Sequence, residues 1–220
     1  MLGFRISFDF CQMINTEKHK LKEKIIESSL TGAYNYQEYR DLVDEFASKG
    51  KTTGTEQTES LIDYTQLNSK RMKRWDKTFH LPDSIKKRIK EWEVPILWLV
   101  LTESWCGDAA PSIPVMNKIA ESSPKITFKL LLRDENPELM NLFLTNGSLS
   151  IPKLIMLDEQ RLEVLNSWGP RPTNATKMVE EHKQENGVLT PEFKQDLQLW
   201  YNKDKGQNIL DDLMELLTLK

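Results

Sequence analysis

The spacing of apolar residues changes near residue 93. From Thr16 to about Trp92 they recur at helical intervals: Leu21, Ile25 and Ile26, then Tyr36, Tyr39, Leu42, Val43 and Phe46. Gly50 to Thr58 is polar, contains Gly54 and several threonines, and reads as a loop. A further helix is predicted over Glu59–Phe79, burying Leu61, Ile62, Leu67, Met72 and Trp75. Its basic end, Lys70, Arg71, Lys73, Arg74 and Lys77, suits a helix C-terminus and reads as a solvated face rather than a phosphate-binding patch. Leu81-Pro82-Asp83 then breaks the chain, with Asp83 or Ser84 as N-cap of a short helix to Trp92.

From Val94 the pattern is that of strands alternating with helices. Val94 to Leu101 is a continuous apolar run, as a strand buried on both faces requires. Ser112–Ser122 reads as helix and Ile126–Leu132 as a second apolar strand. Asn136-Pro137 opens another helix, with Leu139, Met140, Phe143 and Leu144 inward and Asn146-Gly147 closing it. Ile151–Leu157 is a third strand, and Asp158-Glu159-Gln160 turns it into a fourth, Leu162–Trp168. This order is α/β. Beyond Gly187, Pro191–Tyr201 and Asn208–Leu219 read as closing helices. The expected organisation is a doubtful leader (1–12), a helical extension (13–92), an α/β domain (93–187) and C-terminal helices packing on it (188–220).

Composition narrows the function classes. The 220 residues carry a net charge of -3, with 39% hydrophobic and 29% charged residues, which suits a globular protein of one domain with extensions or two small ones. The charge balance argues against a nucleic-acid partner. The apolar run from Val94 contains Pro95 and is too short to span a bilayer, so no membrane partner is expected. Two cysteines, Cys11 and Cys106, exclude a disulfide scaffold. With only His19, His80 and His182 besides, scattered along the chain, no metal site is expected. No nucleotide or flavin motif is present, so no cofactor is expected. Arg5 and Asp9 interrupt the first apolar residues, unlike a secretory signal, and Met13 is a candidate start. The expected compartment is reducing and cytoplasmic. Oligomeric state is not readable.

Thr102-Glu103-Ser104-Trp105-Cys106-Gly107-Asp108-Ala109-Ala110-Pro111 is the segment with chemistry to offer. It sets a cysteine between a buried strand and a helix start, where free N–H groups and the helix dipole favour a thiolate. Asp108 opposes that effect if ionised and close. A lone cysteine beside an apolar strand is also, in the ordinary case, a small buried hydrophobe. Nothing local brings Cys11 within the Cα separation of about 7 Å that a disulfide allows.

These residues resemble the active site of the thioredoxin superfamily, Trp-Cys-Gly-Pro-Cys at a strand-to-helix junction. Trp105, Cys106 and Gly107 match, and Pro114 stands at the kink position of the following helix, with Val115, Met116, Ile119 and Ala120 after it. Ser150-Ile151-Pro152-Lys153-Leu154-Ile155 is similar to the segment carrying the superfamily's cis-proline, although a proline opening a strand also reads as an ordinary trans residue. The resemblance implies a thioredoxin-like mixed sheet flanked by helices. It departs where Ala109 replaces the second cysteine and Asp108 the proline. The variant Trp-Cys-Gly-Asp-Ala looks like that of a group of bacterial thioredoxin-like proteins. A Cys-x-x-Cys pair resolves its own mixed disulfide; Cys106 has no such neighbour.

The resemblance therefore implies a monothiol thiol–disulfide exchange protein. Cys106 is the nucleophile, and Trp105, Gly107, Asp108, Ile151 and Pro152 form the surface for a protein or low-molecular-weight thiol or disulfide. The alternatives are an interaction module on the same scaffold and a thiol-based redox sensor. Trp168-Gly169-Pro170-Arg171-Pro172 forms a stiff turn; Arg171 is either solvent-facing, the commoner outcome, or available to a ligand anion near Cys106.

Overall fold

The computed structural model describes residue 17 and residues 20–218. The expectations for the leader, Cys11, Met13 and His19 lie outside the described residues. Among the described residues four helices come first: α1 (residues 20–30), α2 (Tyr36–Ser48), α3 (Glu59–Thr78) and α4 (Asp83–Lys90). The α/β portion follows as β1 (Ile96–Thr102), α5 (Ala109–Ala120), β2 (Ile126–Leu132), α6 (Pro137–Asn141), β3 (Lys153–Asp158), β4 (Val164–Trp168) and α7 (Thr173–Asn186). α8 (Pro191–Asp204) and α9 (Gln207–Thr218) close the chain. Among the described residues no helix is long and apolar enough to cross a membrane.

The sheet is mixed, in the order β2-β1-β3-β4. β1 runs parallel to β2 and antiparallel to β3, and β3 pairs antiparallel with β4. Every residue of β1 is buried, which is why its sequence is an unbroken apolar run. On the outer side of β2, Tyr34 and Leu130 exchange both backbone hydrogen bonds at 2.8 and 2.9 Å, so the segment before α2 covers that sheet edge. Asn35 caps α2 reciprocally: its side chain accepts from the Glu38 N–H, and the Glu38 carboxylate accepts from the Asn35 N–H.

One hydrophobic core runs through all of these segments. It takes in Ile26, Tyr39 and Val43 from the first helices, Met72 and Trp75 from α3, and Leu197, Tyr201 and Leu213 from the last two. α5 is buried except at Lys118, with α3 and α9 packed along it.

Several element boundaries differ from the sequence reading, each for a local reason. α5 begins at Ala109 rather than Ser112, because Pro111 lies in the first turn, where a missing N–H costs no helical hydrogen bond. α6 stops at Asn141, and Leu144 is 40% exposed. Asn146 and Gly147 both have positive φ (50° and 74°), and Thr145 and Ser148 exchange backbone hydrogen bonds of 3.0 Å across them. This is a tight two-residue hairpin turn and not a helix cap. β4 starts at Val164, since Leu162 has φ 56° in the turn from Asp158. Pro152 stands just before β3 rather than inside a strand. α4 is preceded by Pro82 with no side-chain cap, and Asp83 is its first helical residue. On α3, Leu67 is 42% exposed, while Thr65 and Asn68 take the buried positions.

Two contacts are open to test. Met72 is 2% exposed, so Met72→Ala is expected to cost about 2–4 kcal/mol in urea unfolding. Gly169 has φ +113°, and a Cβ there would run into the Pro152 carbonyl oxygen. Gly169→Ala is expected to lower the urea midpoint by the equivalent of about 1–3 kcal/mol, and an unchanged midpoint would contradict this close approach.

Candidate functional site

The loop between β1 and α5 is held from the N-terminal side. Ser104, 2% exposed, donates its N–H to Thr53 Oγ1 (2.8 Å), and its hydroxyl accepts from the Thr53 N–H (3.0 Å). Thr65 Oγ1 lies 2.8 Å from Ser104 Oγ, and Asn68 Nδ2 donates to the Ser104 carbonyl at 2.9 Å. Buried backbone needs such partners, and here α3 and the 50–58 segment supply them two residues before Cys106. The polar residues of α3 that interrupt its apolar stripe do this work.

Cys106 is 7% exposed, and its Sγ donates to the Ile151 carbonyl oxygen at 3.3 Å. The Ile151–Pro152 peptide bond is cis. The thiol's pKa is pushed up to about 12, first by burial and then by Asp108; the backbone N–H groups of Ala109 and Asp108, and Arg171, pull the other way. The two local effects read from the sequence are both present, and desolvation outweighs the helix start.

Asp108 joins three parts of the chain. Its Oδ2 pairs with Arg171 Nη2 at 2.7 Å, and its Oδ1 accepts from the Tyr201 hydroxyl at 3.1 Å. Burial raises the carboxyl's pKa while Arg171 and Tyr201 lower it. The Tyr201 hydroxyl is held well above its ordinary value by burial and by Asp108. One turn earlier on α8, Gln198 Nε2 donates to the Gly107 carbonyl at 3.2 Å. α8 therefore lies across the Cys-Gly-Asp segment and recesses the thiol.

In front of Cys106 opens a cleft of about 1030 Å³, bounded by α3, the Cys106 loop, residues 149–151, Arg171 and the first half of α8. A second hollow of about 450 Å³ adjoins it and shares Trp105 and Arg133, whose guanidinium sits 4.9 Å from the indole ring. Among the residues expected at the site, Trp105, Cys106, Gly107, Asp108 and Ile151 line the larger cleft. Pro152 is buried behind Ile151 and does not line it. Ala109, at the position of the absent second cysteine, is 3% exposed.

Arg171 is not the solvent-facing residue of the commoner reading, because Asp108 draws it inward. Arg71 is likewise no part of a solvated face; it is half-buried in the cleft wall. Arg71, Tyr201, Gln198 and the hydroxyl cluster around Ser104 carry no motif in the sequence. Only the break in the apolar stripe of α3 at Thr65 and Asn68 marks any of them.

Against known proteins, the model of a family described as thioredoxin matches residues 54–184, more than half of the chain. The match begins within the helical extension and ends inside α7. No curated protein matches the chain. A Pseudomonas aeruginosa protein of unknown function is similar in structure, with a TM-score of 0.51 and 17% identity over 84% of this chain and 97% of that one. An HIV epitope scaffold is similar to the same degree, with a TM-score of 0.52 and 16% identity over 84% and 98% of the two chains. At these identities the two structures speak for the fold alone. With the family match spanning Trp105-Cys106-Gly107, the Ile151–Pro152 segment and the mixed sheet, this chain belongs to the thioredoxin family.

Proposed function

We propose that this chain is a monothiol thiol–disulfide exchange protein of a reducing, cytoplasmic compartment, with Cys106 as its nucleophile. The observation that carries the reading is the Cys106 sulfur, 3.3 Å from the Ile151 carbonyl on the wall of the large cleft. In the first step the Cys106 thiolate attacks one sulfur of a substrate disulfide; the other sulfur leaves as a thiolate with the electron pair of the broken bond. In the second, the thiolate of an external thiol attacks the mixed disulfide and releases Cys106. Ala109 cannot supply that second attack. Trp105, Gly107, Asp108 and Ile151 are the surface against which the substrate lies.

A thiol held near 12 is almost wholly protonated at neutral pH, so the resting site is slow. Asp108 is the removable part of that restraint. Without its charge, the Ala109 and Asp108 N–H groups and Arg171 act on the sulfur unopposed by a neighbouring anion. A second reading, a non-enzymatic interaction module, draws on the same burial: a buried, protonated cysteine serves packing as well as chemistry.

Two measurements test these readings. The rate of Cys106 alkylation is expected to climb with pH without levelling off below pH 10, because the folded thiol ionises only near 12. Asp108→Asn lowers that pKa and is expected to speed alkylation at pH 8 about tenfold, one pKa unit's worth of thiolate; an unchanged rate would show that the Asp108 charge does not restrain the thiol. Second, exchange predicts disulfide-linked adducts in cells that vanish with Cys106→Ser. Capture of the same partners by the Cys106→Ser chain would instead establish the module.

A further inference from the structure

We infer that the cleft beside Cys106 takes a small disulfide bearing a carboxylate, which the Arg71 guanidinium binds next to the reacting sulfur. This rests on the exchange reading and names its substrate class. Arg71 Nη1 donates to Asn68 Oδ1 at 3.0 Å, and Asn68 is itself 1% exposed and tied to the Ser104 carbonyl. The network that fixes the Cys106 loop thus also fixes this guanidinium. Arg71 Nη1 lies 4.0 Å from where a Cβ on Gly107 would stand, so it borders the residue next to Cys106.

No carboxylate among the described residues forms an ion pair with Arg71, and its other N–H groups make no hydrogen bond there. Asp108, whose charge it feels, is already held by Arg171 at 2.7 Å. A half-buried guanidinium that has lost part of its water without gaining a counter-ion is poised for an anion, and its planar fork matches a carboxylate. Lys194, at the start of α8, adds a second positive charge to the lining without an ion-pair partner among the described residues. The unpaired acids of the cleft, Asp63 and Glu59, lie eight and twelve residues earlier on α3, about 12 Å and about 18 Å along the helix axis. Their field therefore acts on the far part of the cleft.

Depth favours a small substrate. The cleft, about 1030 Å³, is just above the usual range for small-molecule sites and has room for one. Cys106 is only 7% exposed beneath α8, a depth that favours a small disulfide over one on the surface of a folded protein. In the reaction the Cys106 proton passes to solvent, the thiolate bonds to one substrate sulfur, and the acidic thiol half leaves as its thiolate.

The experiment measures mixed-disulfide formation at Cys106 by mass spectrometry at pH 8 and low salt. The probes are 3,3′-dithiodipropionate (anionic), bis(2-hydroxyethyl) disulfide (neutral) and cystamine (cationic), each normalised to its rate with a small free thiol. The anionic probe is expected to lead the neutral one by about tenfold and cystamine to trail it, with the preference collapsing toward one at high salt or in Arg71→Gln. Calorimetry supplies a readout independent of exchange: the unreactive 3,3′-thiodipropionate should bind the Cys106→Ser chain and fail to bind Cys106→Ser/Arg71→Gln. Equal normalised rates, no thiodipropionate binding, or faster reaction with the disulfides of insulin would each overturn the inference. Thiodipropionate binding with no reaction at Cys106 by any probe would overturn the exchange reading and leave the anion site standing.

Discussion

Asp108 sits where the chain passes from β1 into α5, with little water around its carboxylate, and such a group needs donors from the protein itself. The donors are Arg171, from the turn after β4, and Tyr201, from α8. Drawing them in closes two distant segments over Cys106. That closure recesses the thiol, and the same carboxylate holds the thiol's proton in place. Architecture and reactivity at this site therefore have one origin: a charged residue at the position where the superfamily resemblance leads one to look for a proline.

The helical residues before β1 have a comparable role on the opposite side. α3 packs on α2 and α5, but its buried Thr65 and Asn68 face the loop rather than the core's apolar groups. Their hydrogen bonds to Ser104 leave Trp105 and Cys106 little freedom, and Asn68 carries the constraint on to Arg71. The two arginines of the cleft consequently differ in kind. Arg171 is neutralised and structural, while Arg71 is oriented yet, among the described residues, without a counter-ion.

Much of the fold was legible because it follows from local periodicity. The unbroken apolar run of β1 implies a central strand, and the alternation of strand and helix after it implies an α/β sheet. The reading failed where one residue type serves two geometries. Asn146-Gly147 suits a helix end and a tight hairpin equally well, and only the chain's return at Ser148 selects the hairpin. The sequence reads α5 from Ser112, yet it begins at Ala109, because a first-turn proline at 111 costs no helical hydrogen bond. The candidate site was legible as a motif, from Trp105 to Asp108 and at Ile151-Pro152, and illegible as an environment.

By itself the sequence determined an α/β order of strands and helices, a cysteine at the junction of a buried strand and a helix, and the lack of a second thiol beside it. These are properties of neighbouring residues and of spacing. Only the tertiary structure decided that Cys106 is recessed and protonated, that Arg171 serves Asp108, and that Arg71 leaves the solvated face for the cleft wall. Desolvation and charge pairing depend on which segments meet in space. Residues 68 to 71, 108, 171 and 201 come together only when the chain has folded.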